Sequence, residues 1–256
     1  MDLKPHTHKR VVITGGASGI GLATAQAFLE AGAGVVIISR TRQSLDEALR
    51  GPLSKYPPGQ CHGIVTDVAD EVAMANTFKE CHSLLQGIDT VVASAGIEGE
   101  MGNAVQHVTS HDFRRVLEVN VLGVFHAVKH ALPFLEKAEN PSITIIGSDS
   151  GFVAAPGMLA YNASKGALVQ LTRALSFELF ESHGIRVNSV CPSIVDTPMA
   201  RRGMGVESFD NAEFPVNAPE DIARTVVFLA DKESRAINGV NVLSDFGYSA
   251  RSSFPA

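Results

Sequence analysis

Tyr161 and Lys165 are four residues apart and can do chemistry together. They open a helical pattern that runs to about Ser182, and a separation of four places both side chains on one helix face. A phenol with its ordinary pKa of about 10 is a poor base at neutral pH, but a neighbouring ammonium favours its ionised form. Such a pair can exchange a proton with a carbonyl or alcohol oxygen. Taken alone, it is more often a buried tyrosine beside a surface lysine.

A glycine-rich segment comes near the start of the chain, where an apolar run gives way to the helical pattern Leu22 to Glu30. It reads Thr-Gly-Gly-Ala-Ser-Gly-Ile-Gly from Thr14 to Gly21. A strand that turns sharply into a helix needs residues without a Cβ where the backbone approaches a ligand, and the helix N-terminus offers free N–H groups to a diphosphate. The segment predicts a dinucleotide site. An ordinary tight turn is the alternative, because three glycines alone are weak evidence.

The end of the second predicted strand indicates which dinucleotide is bound. A carboxylate at this place would hold the ribose hydroxyls of NAD. Here Ser39 is followed by Arg40 and Arg42, and a guanidinium suits a 2′-phosphate. We therefore expect NADP(H), with NAD(H) as the alternative if both arginines are solvated loop charges.

Seven short apolar runs alternate with helical patterns, which predicts parallel strands with helices on both faces of the sheet. The predicted strands are Arg10 to Thr14, Gly34 to Ser39, Cys61 to Val65, Asp89 to Ala93, Ile143 to Gly147, Ile185 to Val190 and Val240 to Leu243. No linker or repeat divides the chain, so we expect one α/β doubly wound domain over residues 1–256. Residues 1–8 are expected to be a flexible tail, and residues 197–217 a substrate loop or lid.

Composition limits the partners. The 256 residues carry a formal net charge of −6, which argues against nucleic acid or an anionic membrane as the main partner. The three cysteines are far apart and form no CxxC pair, so no disulfide framework or zinc cluster is indicated, and a reducing, cytoplasmic location fits best. His126 and His130 have ligand spacing but lack a third ligand, so we interpret them as packing or interface residues and expect no metal.

Six motifs in order resemble the short-chain dehydrogenase/reductase family over nearly the full length. The matching segments are TGGASGIG, Asp67-Val68, Ser94-Ala95-Gly96, Asn120, Ser148 with Tyr161 and Lys165 in YxxxK, and the segment from Asn188 through Pro192 to Met199. The resemblance implies a Rossmann-like fold, a nicotinamide cofactor and a homotetramer or homodimer. The implied cofactor-binding residues are Gly15, Ser18, Gly19, Ile20, Gly21, Ser39, Arg40, Asp67, Val68, Ser94, Ala95, Gly96, Tyr161, Lys165, Pro192, Ile194 and Thr197.

The family's catalytic roles carry over to four residues. Ser148 would hold the substrate carbonyl, and Tyr161 would give its proton to the carbonyl oxygen as hydride arrives. Lys165 would bind the nicotinamide ribose and lower the pKa of the phenol. Asn120 would hold a water that links Lys165 to solvent.

Three departures from the family pattern remove no catalytic group. Ser94 replaces an asparagine, Ser193 replaces a glycine, and Asp149 puts an unusual charge directly after the catalytic serine. Asp149 could bind a polar substrate group or stabilise a turn while facing outward. By analogy with the family, the substrate pocket would include Glu98, Ser150, Met158, Met199, Met204 and Phe209.

The sequence predicts an NADP(H)-dependent carbonyl reductase or alcohol dehydrogenase for a moderately apolar ketone or secondary alcohol. The alternatives are an NAD-dependent alcohol or sugar dehydrogenase of the same family and a 3-oxoacyl thioester reductase. A sugar-nucleotide epimerase or dehydratase shares YxxxK but usually has a longer segment after it. A cofactor-binding regulator without turnover is disfavoured, because all four catalytic residues are present.

Overall fold

The structure is a computed structural model that describes residue 6 and residues 8–251, and in that part of the chain seven strands form one parallel sheet. The strands are β1 Arg10–Thr14, β2 Gly34–Ser39, β3 Cys61–Val65, β4 Thr90–Ala93, β5 Ser142–Ile146, β6 Arg186–Pro192 and β7 Asn241–Ser244. Their order across the sheet is β3-β2-β1-β4-β5-β6-β7. The predicted α/β doubly wound sheet is confirmed; β1, β2 and β3 have the predicted bounds, and the ends of the other four strands differ from the predicted ones by at most two residues.

Helices cover both faces of the sheet. They are α1 Gly19–Glu30, α2 Arg42–Arg50, α3 Glu71–Leu85, α4 Ser110–Leu117, α5 Gly123–Leu135, α6 Leu159–His183, α7 Pro198–Met204 and α8 Pro219–Ala230. Alternate strand residues face opposite sides. Val12 therefore packs in a core with α3, α5 and α6, whereas Val11 and Ile13 pack in a second core with α1, α2 and α8. Burial on both faces explains the uninterrupted apolar runs.

In the sheet, β2 and β3 lie on one side of β1, and β4 lies on the other side of β1. The helices that follow β1 and β4 therefore lie on opposite faces, and a crevice opens above the carboxyl ends of these two strands. The glycine turn lies at this crevice. A Cβ on Gly21 would come within 2.2 Å of the Gly15 carbonyl oxygen, so the turn closes only with glycine there.

The long helical segment from Ser110 to Leu135 is interrupted. A π-helical turn, Glu118–Leu122, separates α4 from α5, and it carries Asn120. Such turns add one residue to a helical circuit and often occur at functional sites. The helical pattern predicted from Tyr161 to about Ser182 agrees closely with α6.

Two irregular segments are more ordered than expected. The segment predicted as a lid begins with α7, capped by the Thr197 hydroxyl, and its far end is fixed by a parallel bridge between Val195 and Asn217. In the predicted flexible tail, His6 is buried and its N–H donates to the Ala31 carbonyl oxygen at 3.2 Å, so a free tail does not include His6. The other tail residues, apart from His8, lie outside the described residues. Within the described residues, every helix is too short or too polar to span a bilayer.

Candidate active site

Tyr161 and Lys165 lie in the first turns of α6, at the carboxyl edge of the sheet. The Lys165 ammonium lies 5.5 Å from the centre of the Tyr161 ring and donates a hydrogen bond to the Ile146 carbonyl oxygen at 2.9 Å. Only 6% of Lys165 is exposed. The lysine is therefore part of the interior, and the alternative of a tyrosine beside a surface lysine does not apply.

Burial shifts the pKa values of Tyr161 and Lys165 in the directions that favour their uncharged forms. It raises the pKa of Tyr161 to about 12; the Ser148 hydroxyl opposes this shift, and Asp149 and Glu98 add to it. Burial also lowers the pKa of Lys165 to about 8. The resemblance implied that Lys165 lowers the pKa of the phenol, but here the pKa is raised, and loss of hydration is the largest cause. Tyr161 is a protonated phenol at neutral pH and can act as a proton donor.

Ser148 follows β5 and faces Tyr161. Its hydroxyl donates to Asp149 Oδ1 at 3.1 Å and accepts from the Ser150 N–H at 3.1 Å. Asp149 is half-buried in the pocket wall, where burial raises its pKa. The serine proton thus points to a carboxylate in the pocket wall, so Asp149 faces the pocket, while its hydrogen bonds to Ser148 and Ser150 also stabilise the local turn.

Asn120 lies behind the pocket, and its side chain makes three hydrogen bonds. Its Oδ1 accepts from the Ile97 N–H at 2.8 Å, and its Nδ2 donates to the Ile97 carbonyl oxygen and to the Ser164 hydroxyl, both at 3.0 Å. The side chain ties the loop after β4 to α6. Both N–H donors of the amide are committed to these contacts, so a water on this residue would have to donate to one of its oxygens.

The predicted cofactor residues around the glycine turn form one cleft that is continuous with the catalytic side chains. The cleft is lined by Gly15, Ser18, Gly19, Ile20, Gly21, Ser94, Ala95, Gly96, Ser148, Tyr161, Lys165, Pro192, Ile194 and Thr197. Gly15 is at a φ of +68°, and a Cβ on it would come within 2.8 Å of Ala95. The Ser18 side chain does not cap α1, which leaves the first-turn N–H groups free to meet an anion. A dinucleotide diphosphate fits this arrangement.

The remaining predicted cofactor residues lie beside this cleft, at the carboxyl ends of β2 and β3. Arg40 is exposed, and the Ser39 hydroxyl contacts Ser44 at 2.9 Å. Asp67 accepts from the Ala69 N–H at 3.0 Å and pairs with Arg115 at 3.2 Å. The buried Val68 packs in the core beneath them. These positions suit the adenosine end of a dinucleotide.

The substrate residues predicted by analogy are only partly brought together. Glu98, Ser150, Met158, Met199 and Met204 line the same cavity of about 710 Å³ as the catalytic side chains. Phe209 does not. It lies in the irregular chain after α7 and lines a neighbouring surface cavity that shares Met204 and Phe214 with this one, so its contact with substrate stays a prediction. The spacing of apolar residues in this segment did not show which of them turn inward.

The sequence analysis missed a group of pocket residues that follow β7, namely Asp245, Phe246, Tyr248 and Arg251. The strand order brings the end of β7 next to the end of β6, close to Ser148. The sequence did contain a signal for this group, because it directly follows the last predicted strand. The carboxyl ends of parallel strands meet at one edge of the sheet, where ligands bind.

Two further polar side chains, His126 and Cys191, lie outside the pocket. His126 is buried, with Nδ1 2.9 Å from the Val68 carbonyl oxygen, which agrees with a packing role. Cys191 is 1% exposed, and burial raises the pKa of its thiol. It is a small buried side chain.

Comparisons with known proteins agree with this arrangement. The family model described as enoyl-(acyl carrier protein) reductase matches residues 15–249. The meso-2,3-butanediol dehydrogenase of Serratia marcescens is 34% identical over 253 residues, covering 97% of each chain. The solved structure of levodione reductase superposes with a TM-score of 0.88 at 27% identity, covering 96% of this chain and 99% of that one.

A further solved structure, ElxO with NADP bound, has a TM-score of 0.84 at 27% identity and covers 95% of this chain and 99% of that chain. The family match extends from the glycine turn to the segment after β7, and so includes all the residues that line the pocket except Arg251. Together with the fold and the Ser148, Tyr161 and Lys165 geometry, the match shows that this chain belongs to the short-chain dehydrogenase/reductase family of nicotinamide-dependent oxidoreductases.

Proposed function

We propose that this protein is an NADP(H)-dependent carbonyl reductase that converts a moderately apolar ketone to a secondary alcohol. One observation carries the proposal: a phenol held protonated by burial lies beside a serine hydroxyl, in a cavity continuous with the dinucleotide cleft. A protonated donor suits reduction, because a carbonyl oxygen must receive a proton as its carbon receives hydride.

The chain supplies geometry and protons. The glycine turn and the N-terminus of α1 would hold the diphosphate, and Lys165 and Thr197 would hold the nicotinamide end. When bound, the nicotinamide provides the hydride. Ser148 Oγ holds the substrate oxygen by a hydrogen bond, and Tyr161 Oη delivers its proton to that oxygen. Lys165, with a pKa lowered to about 8 by burial, is able to pass a proton toward the phenol at neutral pH.

The proposed preference for NADP(H) over NAD(H) rests on the residues at the carboxyl end of β2. Arg40 is exposed directly after Ser39, where it can reach a 2′-phosphate, and this place lacks the carboxylate that would bind the ribose of NAD. ElxO, a relative in fold, has been solved with NADP bound. NAD(H) is the alternative cofactor, and an NAD-dependent alcohol or sugar dehydrogenase is the alternative function.

An apolar ketone fits the walls of the pocket. Met158, Met199 and Met204 line it, and methionine adapts to rings and chains of differing shape. The names of levodione reductase and meso-2,3-butanediol dehydrogenase indicate a carbonyl and an alcohol substrate for those proteins. A 3-oxoacyl thioester is a further alternative, since the matching family model is described by an acyl carrier protein substrate.

We also propose a homotetramer or homodimer in a reducing compartment such as the cytoplasm. Phe177 and Phe180, one helical turn apart on α6, are 68% and 46% exposed. Large apolar side chains exposed together on a long helix are typical of a surface that another subunit covers. The three cysteines are free, as expected where thiols stay reduced.

The direct test follows the loss of NADPH absorbance over a panel of ketones, sugars, quinones and acyl thioesters, repeated with NADH. We expect turnover of ketones with NADPH. Activity confined to small charged keto acids would contradict the proposed substrate class, and absence of turnover with every carbonyl would contradict the proposed function.

A further inference from the structure

Asp149 gives the pocket a carboxylate directly beside the group that must hold the substrate. Its Oδ1 lies 3.1 Å from Ser148 Oγ and accepts a hydrogen bond from that hydroxyl. The carboxyl is half-buried and close enough to Tyr161 to raise the pKa of the phenol. It is therefore a charged part of the pocket wall at the reacting centre.

Substrate binding must change this contact. A serine hydroxyl has one proton, and in the proposed function that proton is donated to the carbonyl oxygen. When it turns to the substrate, Asp149 loses a hydrogen bond, and its remaining donors belong to Ser150. A carboxylate that loses a donor in a desolvated pocket is costly. A plain ketone cannot replace the lost donor, because it has only an acceptor.

The other carboxylates of the wall already have partners elsewhere. Asp245 accepts from the Gly247 N–H and from both the N–H and the hydroxyl of Ser249, at 2.5 to 2.9 Å. Glu98 pairs with Arg202 at 3.2 Å. Neither pairing has to open when a ketone binds at Ser148. Asp149 is distinct because its principal partner is the catalytic hydroxyl itself.

We propose that Asp149 is a specificity-determining residue that selects substrates with a hydroxyl on the carbon next to the reacting carbonyl, that is, vicinal hydroxyketones and the corresponding diols. Such a hydroxyl lies beside the carbonyl oxygen, as Asp149 lies beside Ser148. It donates to Asp149 while the carbonyl oxygen accepts from Ser148, so the serine and the carboxylate are both satisfied. This inference rests on the proposed function, since it assumes that a carbonyl binds at Ser148.

The test compares three substrates of one ring size: 2-hydroxycyclohexanone, 2-methoxycyclohexanone and cyclohexanone. The methoxy compound keeps the second oxygen but cannot donate. For the parent enzyme we expect kcat/KM for the hydroxyketone to exceed that for the other two by roughly ten- to a hundredfold, the range of a hydrogen bond to a charged group. The Asp149→Ala variant should bring the three values close together, chiefly by losing activity on the hydroxyketone.

Two variants separate specificity from a structural role. Asp149→Asn keeps an acceptor oxygen without the charge, so it should retain part of the preference. Glu139→Ala removes an exposed carboxylate at the opposite edge of the sheet and should leave the preference unchanged. If Asp149→Ala lowered activity on all three ketones by the same factor, or if the parent enzyme did not distinguish hydroxyl from methoxy, the assignment would be wrong while the proposed function stood. Failure to reduce any carbonyl would overturn both.

Discussion

Lys165 Nζ donates to the carbonyl oxygen of Ile146 at 2.9 Å, and Ile146 is the last residue of β5, two residues before Ser148. The strand that leads to Ser148 therefore also binds the lysine that lies one helical turn after Tyr161. Since α6 provides both Tyr161 and Lys165, this hydrogen bond links the residue that we propose holds the substrate to the helix that carries the proposed proton donor.

Tyr161→Phe should lower kcat by about 10²- to 10⁴-fold, the usual contribution of a positioned proton donor, while the affinity for NADPH changes little. Turnover and cofactor fluorescence titration measure the two effects. Tyr56→Phe is the matched control, because Tyr56 bonds to Glu30 on α1, away from the catalytic groups, and its loss should leave kcat unchanged. Near-normal turnover in Tyr161→Phe would exclude the phenol as the donor.

Lys165→Met should abolish activity and yet stabilise the protein at neutral pH. The pKa of Lys165 is lowered in the fold from 10.5 to about 8, so the folded chain binds fewer protons than the unfolded chain between these values. The parent therefore gains stability as pH rises through that window, and the cost of burying the ammonium is fully present below it.

The difference in Tm, variant minus parent, should accordingly be largest near pH 7 and shrink as the pH approaches 10.5. Thermal melts at a series of pH values measure it. Lys79→Met, on the exposed side of α3, controls for loss of a lysine charge. A difference that grew with pH would show that the ammonium is not penalised by burial.

Arg40→Ala should lower the ratio of kcat/KM for NADPH to that for NADH by roughly ten- to a hundredfold, because one charge-assisted hydrogen bond to the 2′-phosphate is lost. Arg50→Ala removes an equally exposed guanidinium from the other end of α2, where Arg50 pairs with Asp46, and should leave the ratio as it is. If Arg40→Ala behaved like this control, Arg40 would be a solvated loop charge.

Phe177→Asp should reduce the molar mass measured by light scattering after gel filtration, since it places a charge in the apolar surface of α6 that we propose another subunit covers. Val72→Asp, on α3, changes an apolar side chain that is 74% exposed and should have no effect on mass. A parent protein that ran as a monomer would contradict the proposed assembly directly.

Much of the fold could be predicted because its signals are local. The β-branched runs of the buried strands and the glycines between Thr14 and Gly21 each constrain their own few residues. The interruption at Asn120 could not be predicted in this way. It depends on hydrogen bonds to Ile97 and Ser164, which lie 23 and 44 residues away and are unrelated to the local pattern.

The candidate site, like the fold, could be predicted only where its signals are local. Tyr161 and Lys165 were identified by spacing within one helix, but the ionisation of the phenol depends on burial and on Glu98 and Asp149, which come from other segments. Phe209 lines a neighbouring cavity, and the local pattern did not indicate this because an apolar residue in irregular chain has no period to show which way it faces. Asp245 and Tyr248 were missed because their place in the pocket depends on strand order.

The pocket is formed by residues from both ends of the described chain, and this has a consequence for synthesis on the ribosome. The cleft begins at Gly15, just after β1, and its wall closes with Tyr248 and Arg251, after β7. A nascent chain would hold the glycine turn early but would lack this wall until nearly all described residues had emerged. A protease-protection time course during translation should therefore show NADPH protecting the finished chain but not fragments that end before β7.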